Sequence, residues 1–243
     1  MTRVLIAATG VDYWTLADGT RHPSGYWPEE LSTPYQVFAE AGLEIALATL
    51  GGVVPTADPA GFDPVYHGDS EEEALRVRLH LESIIERHPP VALEDVDVDD
   101  FDLVFVPGGW GPMEDLAESV PFGTLLRRFA DAGKPIAAVC HGPAALLPAR
   151  DDDGGWLFSG KEVTGFSNVE EYAVGTAPLA KWLVEDRLKA EGGLYSSAPE
   201  GWAEFVVIDG NLYTGQNPAS ARALAERLVH DVRNLDLTLA KRS

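Results

Sequence analysis

The stretch that decides the fold is Ala137–Pro143, AAVCHGP, in which an apolar run ends at the only cysteine of the chain, Cys140. The run Pro135–Val139 predicts a buried strand, and the Gly-Pro pair after the thiol predicts the start of a helix. We expect a nucleophile elbow, a strained turn that presents the thiol at the sheet edge, where the helix N-terminus favours the thiolate. The alternative is an inert buried cysteine, because most single cysteines are of that kind.

Strand and helix patterns alternate on both sides of this turn. The other predicted strands are short apolar runs: Arg3–Ala8, Leu43–Leu50, Leu103–Val106, Glu162–Phe166, and a hairpin of Phe205–Ile208 with Leu212–Thr214. The predicted helices have apolar residues at helical spacing: Glu29–Ala41, Asp69–His88, Phe122–Ala132, Ala177–Ala190 and Ala219–Val232. Such alternation is typical of an α/β fold with a mostly parallel sheet and helices on both faces, whose ligands bind at the carboxyl ends of the strands.

Length and charge narrow the function classes. The chain has 243 residues and a formal net charge of −21, so binding to nucleic acid or to an anionic membrane surface is not expected. No run approaches the roughly 20 apolar residues that cross a bilayer. A single cysteine favours a reducing compartment, so a cytoplasmic protein with a small-molecule or protein partner is predicted. The six histidines have no metal-ligand spacing, and no metal site is predicted.

A second loop follows the strand Leu103–Val106. It is Pro107–Gly111, PGGWG, and its glycines let the backbone approach a ligand and present N–H groups to it. Because this loop and Cys140 both follow strands of a parallel sheet, we interpret them as a thiol beside an oxyanion hole. A plain turn is the alternative for the loop taken alone.

Two pairs of glutamates are candidates for acid–base roles. Glu29 and Glu30 open a helix, where acidic residues also stabilise the helix dipole, and one of them could share a proton with the thiol. Glu170 and Glu171 follow the predicted strand Glu162–Phe166 and could orient a histidine as a triad acid does, or could simply form an acidic first turn. The pattern alone does not choose within either pair.

Five motifs in order, spanning nearly the whole chain, resemble the ThiJ/PfpI superfamily. They are Gly25–Leu31 (GYWPEEL) with Pro34-Tyr35, Pro107–Gly109, Ala137–Pro143, Val163–Phe166 and Thr214–Ser220 (TGQNPAS). The resemblance is closest to the heat-shock chaperone and glyoxalase III branch. It implies one domain, residues 1–243, with a flavodoxin-like three-layer sandwich, a small cap or insertion around residues 52–100, no organic cofactor and a homodimer.

The same resemblance assigns site residues. It implies Cys140 as nucleophile, His141 as its triad neighbour, Glu171 as triad acid and Glu30 as the buried carboxyl beside the thiol. Gly109 and the backbone N–H of His141 would form the oxyanion hole. The predicted substrate pocket is completed by Trp27, Gly108 and Trp110.

The implied activity is a glutathione-independent, glyoxalase III-like conversion of methylglyoxal or a related α-oxoaldehyde to a hydroxy acid, a lyase reaction of the D-lactate dehydratase type. One position departs from the family pattern, which has His after Pro-Gly-Gly where this chain has Trp110. We interpret Trp110 as a bulky apolar side chain in the pocket wall, in place of a hydrogen-bond donor. One alternative function is therefore a hydrolase or hydratase that acts on a bulkier carbonyl. A holdase chaperone or protein deglycase is the other alternative. Amidotransfer is disfavoured, since only His230-Asp231 stands where a His-x-Glu pair is expected.

Overall fold

The computed structural model describes the backbone of residues 2–240 and the side chains of residues 2–234. The strands, numbered in chain order, are β1 Arg3–Ala7, β2 Tyr13–Thr15, β3 Arg21–Pro23, β4 Glu44–Thr49, β5 Val91–Ala92, β6 Leu103–Val106, β7 Ile136–Val139, β8 Glu162–Val163, β9 Leu194–Tyr195, β10 Val206–Asp209 and β11 Leu212–Gly215. The helices are α1 Pro28–Glu40, α2 Glu71–Arg87, α3 Gly111–Glu114, α4 Val120–Asp131, α5 Asn168–Ala173, α6 Val184–Ala190 and α7 Ala221–Ala240.

A central sheet has the strand order β10-β11-β7-β6-β1-β4-β5. Its strands pair in parallel except for the hairpin β10–β11, in which Val207 faces Thr214. The predicted mostly parallel α/β sheet and the predicted hairpin are confirmed. Because β6 and β7 are neighbours, the loops that follow them emerge side by side at one edge of the sheet.

Alternate residues of the central strands point to opposite faces and bury two separate helix layers. Leu103 and Phe105 of β6 pack in the cluster that includes α1, α2 and α7 residues, whereas Val104 and Val106 pack in the cluster that includes residues of α4 and α6. These strand residues are fully buried. A run of consecutive apolar residues is therefore what a strand covered on both faces requires, and the structure is a three-layer sandwich.

Three predicted elements differ in the structure. The expected strand Glu162–Phe166 is reduced to β8, which pairs with β9 in a separate small sheet because β11 is already flanked by β7 and β10. The expected helix Ala177–Ala190 is divided into a 3₁₀ turn, Ala177–Leu179, and α6, because Ala180 and Leu183 have extended backbone dihedrals. The helix expected after Cys140 is a 3₁₀ helix of five residues, Gly142–Leu146. Apolar periodicity does not distinguish these short elements from longer ones.

The segment around residues 52–100, predicted to be an insertion or cap, has two parts. Helix α2 packs against α1, and β5 pairs with β4 at the edge of the central sheet. The part before α2 contains two 3₁₀ turns, Pro59–Phe62 and Pro64–His67. Its residues Ala60 and Tyr66 line the cavity described below. Assignment of the whole chain to one domain with a cap stays a prediction.

Candidate active site

Cys140 stands in a left-handed backbone conformation, with φ of +60°, directly after β7. An L-residue with a side chain enters this region at a cost of about 1 kcal/mol, so tertiary contacts must hold it there. Its N–H donates to the Gly215 carbonyl, and its carbonyl accepts from the Phe166 N–H. The thiol is 4% exposed. The strained turn expected from the sequence is present, closed by a short 3₁₀ helix.

A chain of contacts links the thiol to a carboxylate. The Cys140 sulfur lies 3.3 Å from His141 Nδ1, and His141 Nε2 lies 2.7 Å from Glu171 Oε2. Because an ionised carboxylate only accepts hydrogen bonds, the proton of a neutral His141 belongs on Nε2. Nδ1 is then free to accept the proton of the thiol. His141 and Glu171 are both about 2% exposed, which keeps the pair out of water.

Glu171 and Glu170 have different surroundings, and the structure distinguishes them. Glu171 Oε1 accepts hydrogen bonds from Thr176 Oγ1 and from Trp110 Nε1, the latter at 2.9 Å. Glu170 instead forms a capping box with Ser167 at the start of α5. Burial raises the pKa of Glu171, but His141, Thr176 and Trp110 outweigh burial, and the net effect lowers this pKa. Glu171 is therefore the acid that contacts the histidine, and Glu170 is the cap.

Trp110 acts as a hydrogen-bond donor in addition to its role as a bulky apolar side chain. The sequence expectation treated it as an apolar replacement for a donor, and the Nε1 contact to Glu171 corrects that expectation. Its ring stacks on Trp14 with centroids 5.5 Å apart and lies 5.4 Å from the His141 ring. The indole thus keeps a donor at the position where the family pattern has His.

Glu30 is fully buried in the first turn of α1. Its Oε2 accepts the Gly108 N–H at 2.7 Å, and its Oε1 has no hydrogen-bond partner among the described residues. Burial raises the pKa of Glu30 to about 8, against smaller lowering effects of the Cys140 thiol and the Gly108 N–H. A carboxyl with this pKa is protonated at neutral pH, and Oε1 is the oxygen that does not accept the Gly108 N–H. Glu29, by contrast, lines the cavity.

The two glycines after β6 are required by close backbone approach. A Cβ on Gly108 would lie 2.6 Å from the Val139 carbonyl and 2.7 Å from both Glu30 Oε2 and the His141 nitrogen. Gly109 has φ of +85°, and a Cβ there would meet the Gly25 carbonyl at 2.3 Å. The resulting turn brings the Gly109 N–H, together with the His141 N–H, close enough to the Cys140 sulfur to lower its pKa.

The net pKa of Cys140 is nevertheless raised well above its ordinary value. Burial is the main cause, and the nearby Glu30 carboxyl adds to it. The helix N-terminus was expected to favour the thiolate, but the five-residue 3₁₀ helix and the two N–H groups do not outweigh burial of the thiol. A raised pKa favours the thiol at neutral pH, and His141 Nδ1 is the nitrogen placed to accept its proton.

A cavity of about 420 Å³ opens at the thiol. Trp27, Gly109, Trp110, Cys140 and His141, all predicted for the site, line it. Gly108, also predicted to line the pocket, lies behind the cavity between β7 and Glu30. The sequence reasoning missed other lining residues: Tyr66, Phe166, Thr176 and Trp202. No spacing signal links them to Cys140, since tertiary contacts alone bring them there.

Within residues 2–234, no group of three or more His, Cys, Asp or Glu side chains is arranged to hold a metal ion. No helix in the described part of the chain is long and apolar enough to cross a membrane.

The fold and the site together define the class. Residues 24–231 match the sequence model of the DJ-1/PfpI family, and the chain belongs to that family. Among curated relatives, glyoxalase 3 of Candida albicans is 29% identical over 235 residues, covering 94% of this chain and 98% of its own. The glutathione-independent glyoxalase HSP31 of Saccharomyces cerevisiae is 27% identical and covers 96% of this chain and 98% of its own.

Solved structures agree with this assignment. The Rapid Encystment Protein 24 KDa of Francisella tularensis superposes with a TM-score of 0.82 at 30% identity, covering 96% of this chain and 99% of that one. The crystal structure of the Candida albicans glyoxalase III superposes with a TM-score of 0.75 at 26% identity, covering 94% and 96% of the two chains.

Proposed function

We propose that this protein is a glutathione-independent glyoxalase that converts an α-oxoaldehyde and water to a 2-hydroxy acid. The observation that carries the proposal is the chain of contacts from the Cys140 sulfur through His141 to Glu171, with the fully buried Glu30 carboxyl beside the thiol. The names of the two curated relatives that cover nearly the whole chain support the same activity.

The first step joins the thiol to the substrate. As the Cys140 sulfur adds to the aldehyde carbon, its proton moves to His141 Nδ1, 3.3 Å away, and Glu171 stabilises the imidazolium. The developing oxyanion lies near the backbone N–H groups of Gly109 and His141. His141 then returns the proton to that oxygen, which gives a neutral hemithioacetal.

The second step moves two protons within the hemithioacetal. His141 removes the hydrogen from the former aldehyde carbon while Glu30 donates its Oε1 proton to the neighbouring carbonyl oxygen, and an enediol results. His141 then protonates the second carbon, and Glu30 recovers a proton from the first oxygen. The product is a thioester of the 2-hydroxy acid. Water, activated by His141, releases the acid and restores the thiol.

The test measures methylglyoxal consumption and lactate formation without glutathione. We expect turnover by the wild type and none by Cys140→Ala, with unchanged circular dichroism. His141→Ala should lose about 10²–10⁴-fold in kcat, whereas His230→Ala, an exposed histidine on α7, should retain full activity. Lactate formation by Cys140→Ala at the wild-type rate would refute the proposal, and a retained holdase activity in that variant would favour the chaperone alternative.

We also propose the homodimer and the cytoplasmic location implied by the family resemblance. Sedimentation velocity tests the first, with a mass twice the 26.2 kDa of one chain expected.

A further inference from the structure

Two pairs of aromatic rings line the cavity beyond the catalytic residues. Phe166 lies 4.4 Å from the His141 ring and 5.6 Å from the Trp202 ring, centroid to centroid. Trp27 and Tyr66 form the second pair, at 5.2 Å. Trp202 is 47% exposed and Tyr66 52% exposed, although both are large apolar side chains at the cavity. Half-exposed rings at a cavity are a surface that a ligand can bury.

Trp202 is held in place against backbone strain. Its φ of +68° is in the left-handed region, which is rare for a bulky residue. Its N–H donates at 2.9 Å to Oε1 of the fully buried Glu170, which also accepts a hydrogen bond from Asn217. A strained backbone that the surrounding structure enforces is characteristic of functional positions. The ring packs on Phe166 on one side and leaves 47% of the residue exposed at the cavity, where a ligand can cover it.

The charge of the cavity limits the chemistry of that ligand. Among the described residues that line the cavity, none is Lys or Arg, and Glu29 contributes a carboxyl. The whole chain has a net charge of −21. An anionic substituent would lose hydration there, and the lining offers it no Lys or Arg, only His22 and the His141 that already contacts Glu171.

The size of the cavity is also informative. Methylglyoxal has five non-hydrogen atoms, which occupy at most about 150 Å³ if each takes the volume of one water molecule. The cavity holds about 420 Å³, so methylglyoxal leaves most of it unfilled.

We propose that the site is built for an α-oxoaldehyde with a neutral apolar substituent of the size of an aromatic ring, and that Trp202 determines this specificity. The inference rests on the proposed glyoxalase function and names its substrate class. The substituent lies against Phe166 and Trp202 while the aldehyde carbon meets the Cys140 sulfur. With phenylglyoxal the atoms and electrons balance as they do with methylglyoxal. The aldehyde carbon is oxidised to a carboxylate, the ketone carbon is reduced to an alcohol, one water is added, and mandelate is released.

The experiment compares kcat/KM for phenylglyoxal, 4-carboxyphenylglyoxal and methylglyoxal. We expect phenylglyoxal to exceed methylglyoxal by about tenfold or more, because ring burial removes additional apolar surface from water. The 4-carboxy compound should fall about tenfold or more below phenylglyoxal, because its carboxylate is desolvated.

The variants test Trp202 itself. Trp202→Gly removes the ring and adopts φ of +68° without strain, so the loop keeps its conformation. We expect about a tenfold loss of kcat/KM with phenylglyoxal, mainly through a higher KM, and a clearly smaller loss with methylglyoxal. Trp202→Phe should restore most of the phenylglyoxal activity. As a control, Leu79→Ala removes an exposed apolar side chain of α2 that does not line the cavity, and it should change kcat/KM for neither substrate.

Two results would overturn the inference. Cys140-dependent turnover of methylglyoxal without a preference for phenylglyoxal would refute the substrate class and leave the glyoxalase function standing. An equal loss with both substrates in Trp202→Gly would assign Trp202 a structural role only. If none of the three aldehydes is turned over, the proposed function fails and this inference fails with it.

Discussion

At the scale of single residues, Trp110 joins the wall of the cavity to the orientation of the triad acid. Its indole N–H and the Thr176 hydroxyl both contact Oε1 of Glu171, which leaves Oε2 for His141. An acid held by two donors keeps a fixed direction and a low pKa, and both properties preserve the His141 tautomer that accepts the thiol proton.

Replacing Trp110 separates its two contributions. We expect Trp110→Phe, which keeps an aromatic ring and removes the donor, to lower kcat about 10- to 100-fold with little change in KM, because one hydrogen bond to a charged group is worth about 1.5–3 kcal/mol. Trp110→His restores a donor and should recover part of kcat. Steady-state kinetics checks this, with Trp182→Phe as a control outside the cavity. An unchanged kcat in Trp110→Phe would show that Thr176 alone orients the acid.

Glu30 predicts how activity depends on pH. Its pKa of about 8 means that the carboxyl is protonated at neutral pH and ionises as the pH rises through 8. Because the proposed mechanism uses the protonated form as an acid, kcat/KM should fall above pH 8. The pH profile of kcat/KM measures this, and Glu30→Gln should be inactive at every pH. An alkaline limb that starts well above pH 9 would contradict this role.

The same group predicts how stability depends on pH. A carboxyl whose folded pKa is raised stabilises the folded state below its unfolded pKa, and this stabilisation is lost as pH rises through the folded pKa. The window for Glu30 runs from its ordinary value of 4.5 to about 8. The wild type should therefore lose up to about 1.4 kcal/mol of unfolding free energy per pH unit across this window, whereas Glu30→Gln, which has no titrating group at this position, should not. The difference between the two proteins should grow in favour of Glu30→Gln as the pH rises. Urea unfolding at pH 5, 6, 7 and 8 tests it, and a constant difference would contradict it.

At the scale of secondary-structure elements, the site depends on how short elements are capped. Helix α5 has six residues, and it carries Glu171 immediately after the capping glutamate. Ser167 bonds both the Glu170 N–H and the Glu170 carboxylate, and Glu170 in turn holds the Trp202 loop. Removal of this cap should therefore disturb both the triad acid and the cavity.

A pair of serine caps provides the test. Ser167→Ala should cost about 1–2 kcal/mol of stability and also reduce kcat, because α5 positions Glu171. Ser70 caps α2, because its Oγ accepts the Glu73 N–H. Ser70→Ala removes this cap and should cost about 1 kcal/mol of stability with no change in kcat. Chemical denaturation and kinetics of both variants are compared. Equal activities would indicate that α5 holds its position without the capping box.

At the scale of the whole molecule, the excess of acidic residues acts against stability. The ion pairs of the described residues lie mostly on the surface, where each contributes little. Self-repulsion of a chain with a net charge of −21 is the larger electrostatic effect, and salt screens it.

Sodium chloride should therefore stabilise the protein. Raising it from 20 to 500 mM should add about 1 kcal/mol, which corresponds to about 2–4 °C in Tm for a chain of this size. Differential scanning calorimetry measures the change. Choline chloride at the same ionic strength is the control, because it screens charge without a sodium-specific effect. A fall in Tm would show that attractive ion pairs outweigh the net repulsion.

Much of the architecture was predictable because it depends on local pattern. Buried strands in a parallel sheet are continuous apolar runs, and Leu103–Val106 and Pro135–Val139 differ from the observed β6 and β7 by at most one residue. The short elements after Cys140 were not predictable, since tertiary hydrogen bonds decide whether a two-residue strand or a 3₁₀ turn forms.

By itself, the sequence determined the α/β sheet, the strained turn at Cys140 and the loop of Gly108 and Gly109, because apolar periodicity and the steric freedom of glycine act over a few residues. The spacing of residues left both glutamate pairs open and the resemblance implied Glu30 and Glu171; the tertiary structure decided the contacts of these two, the burial that raises the pKa of the Cys140 thiol, and the position of Trp202 at the cavity. Burial and contacts between distant segments set these properties, and neither is encoded in the spacing of neighbouring residues.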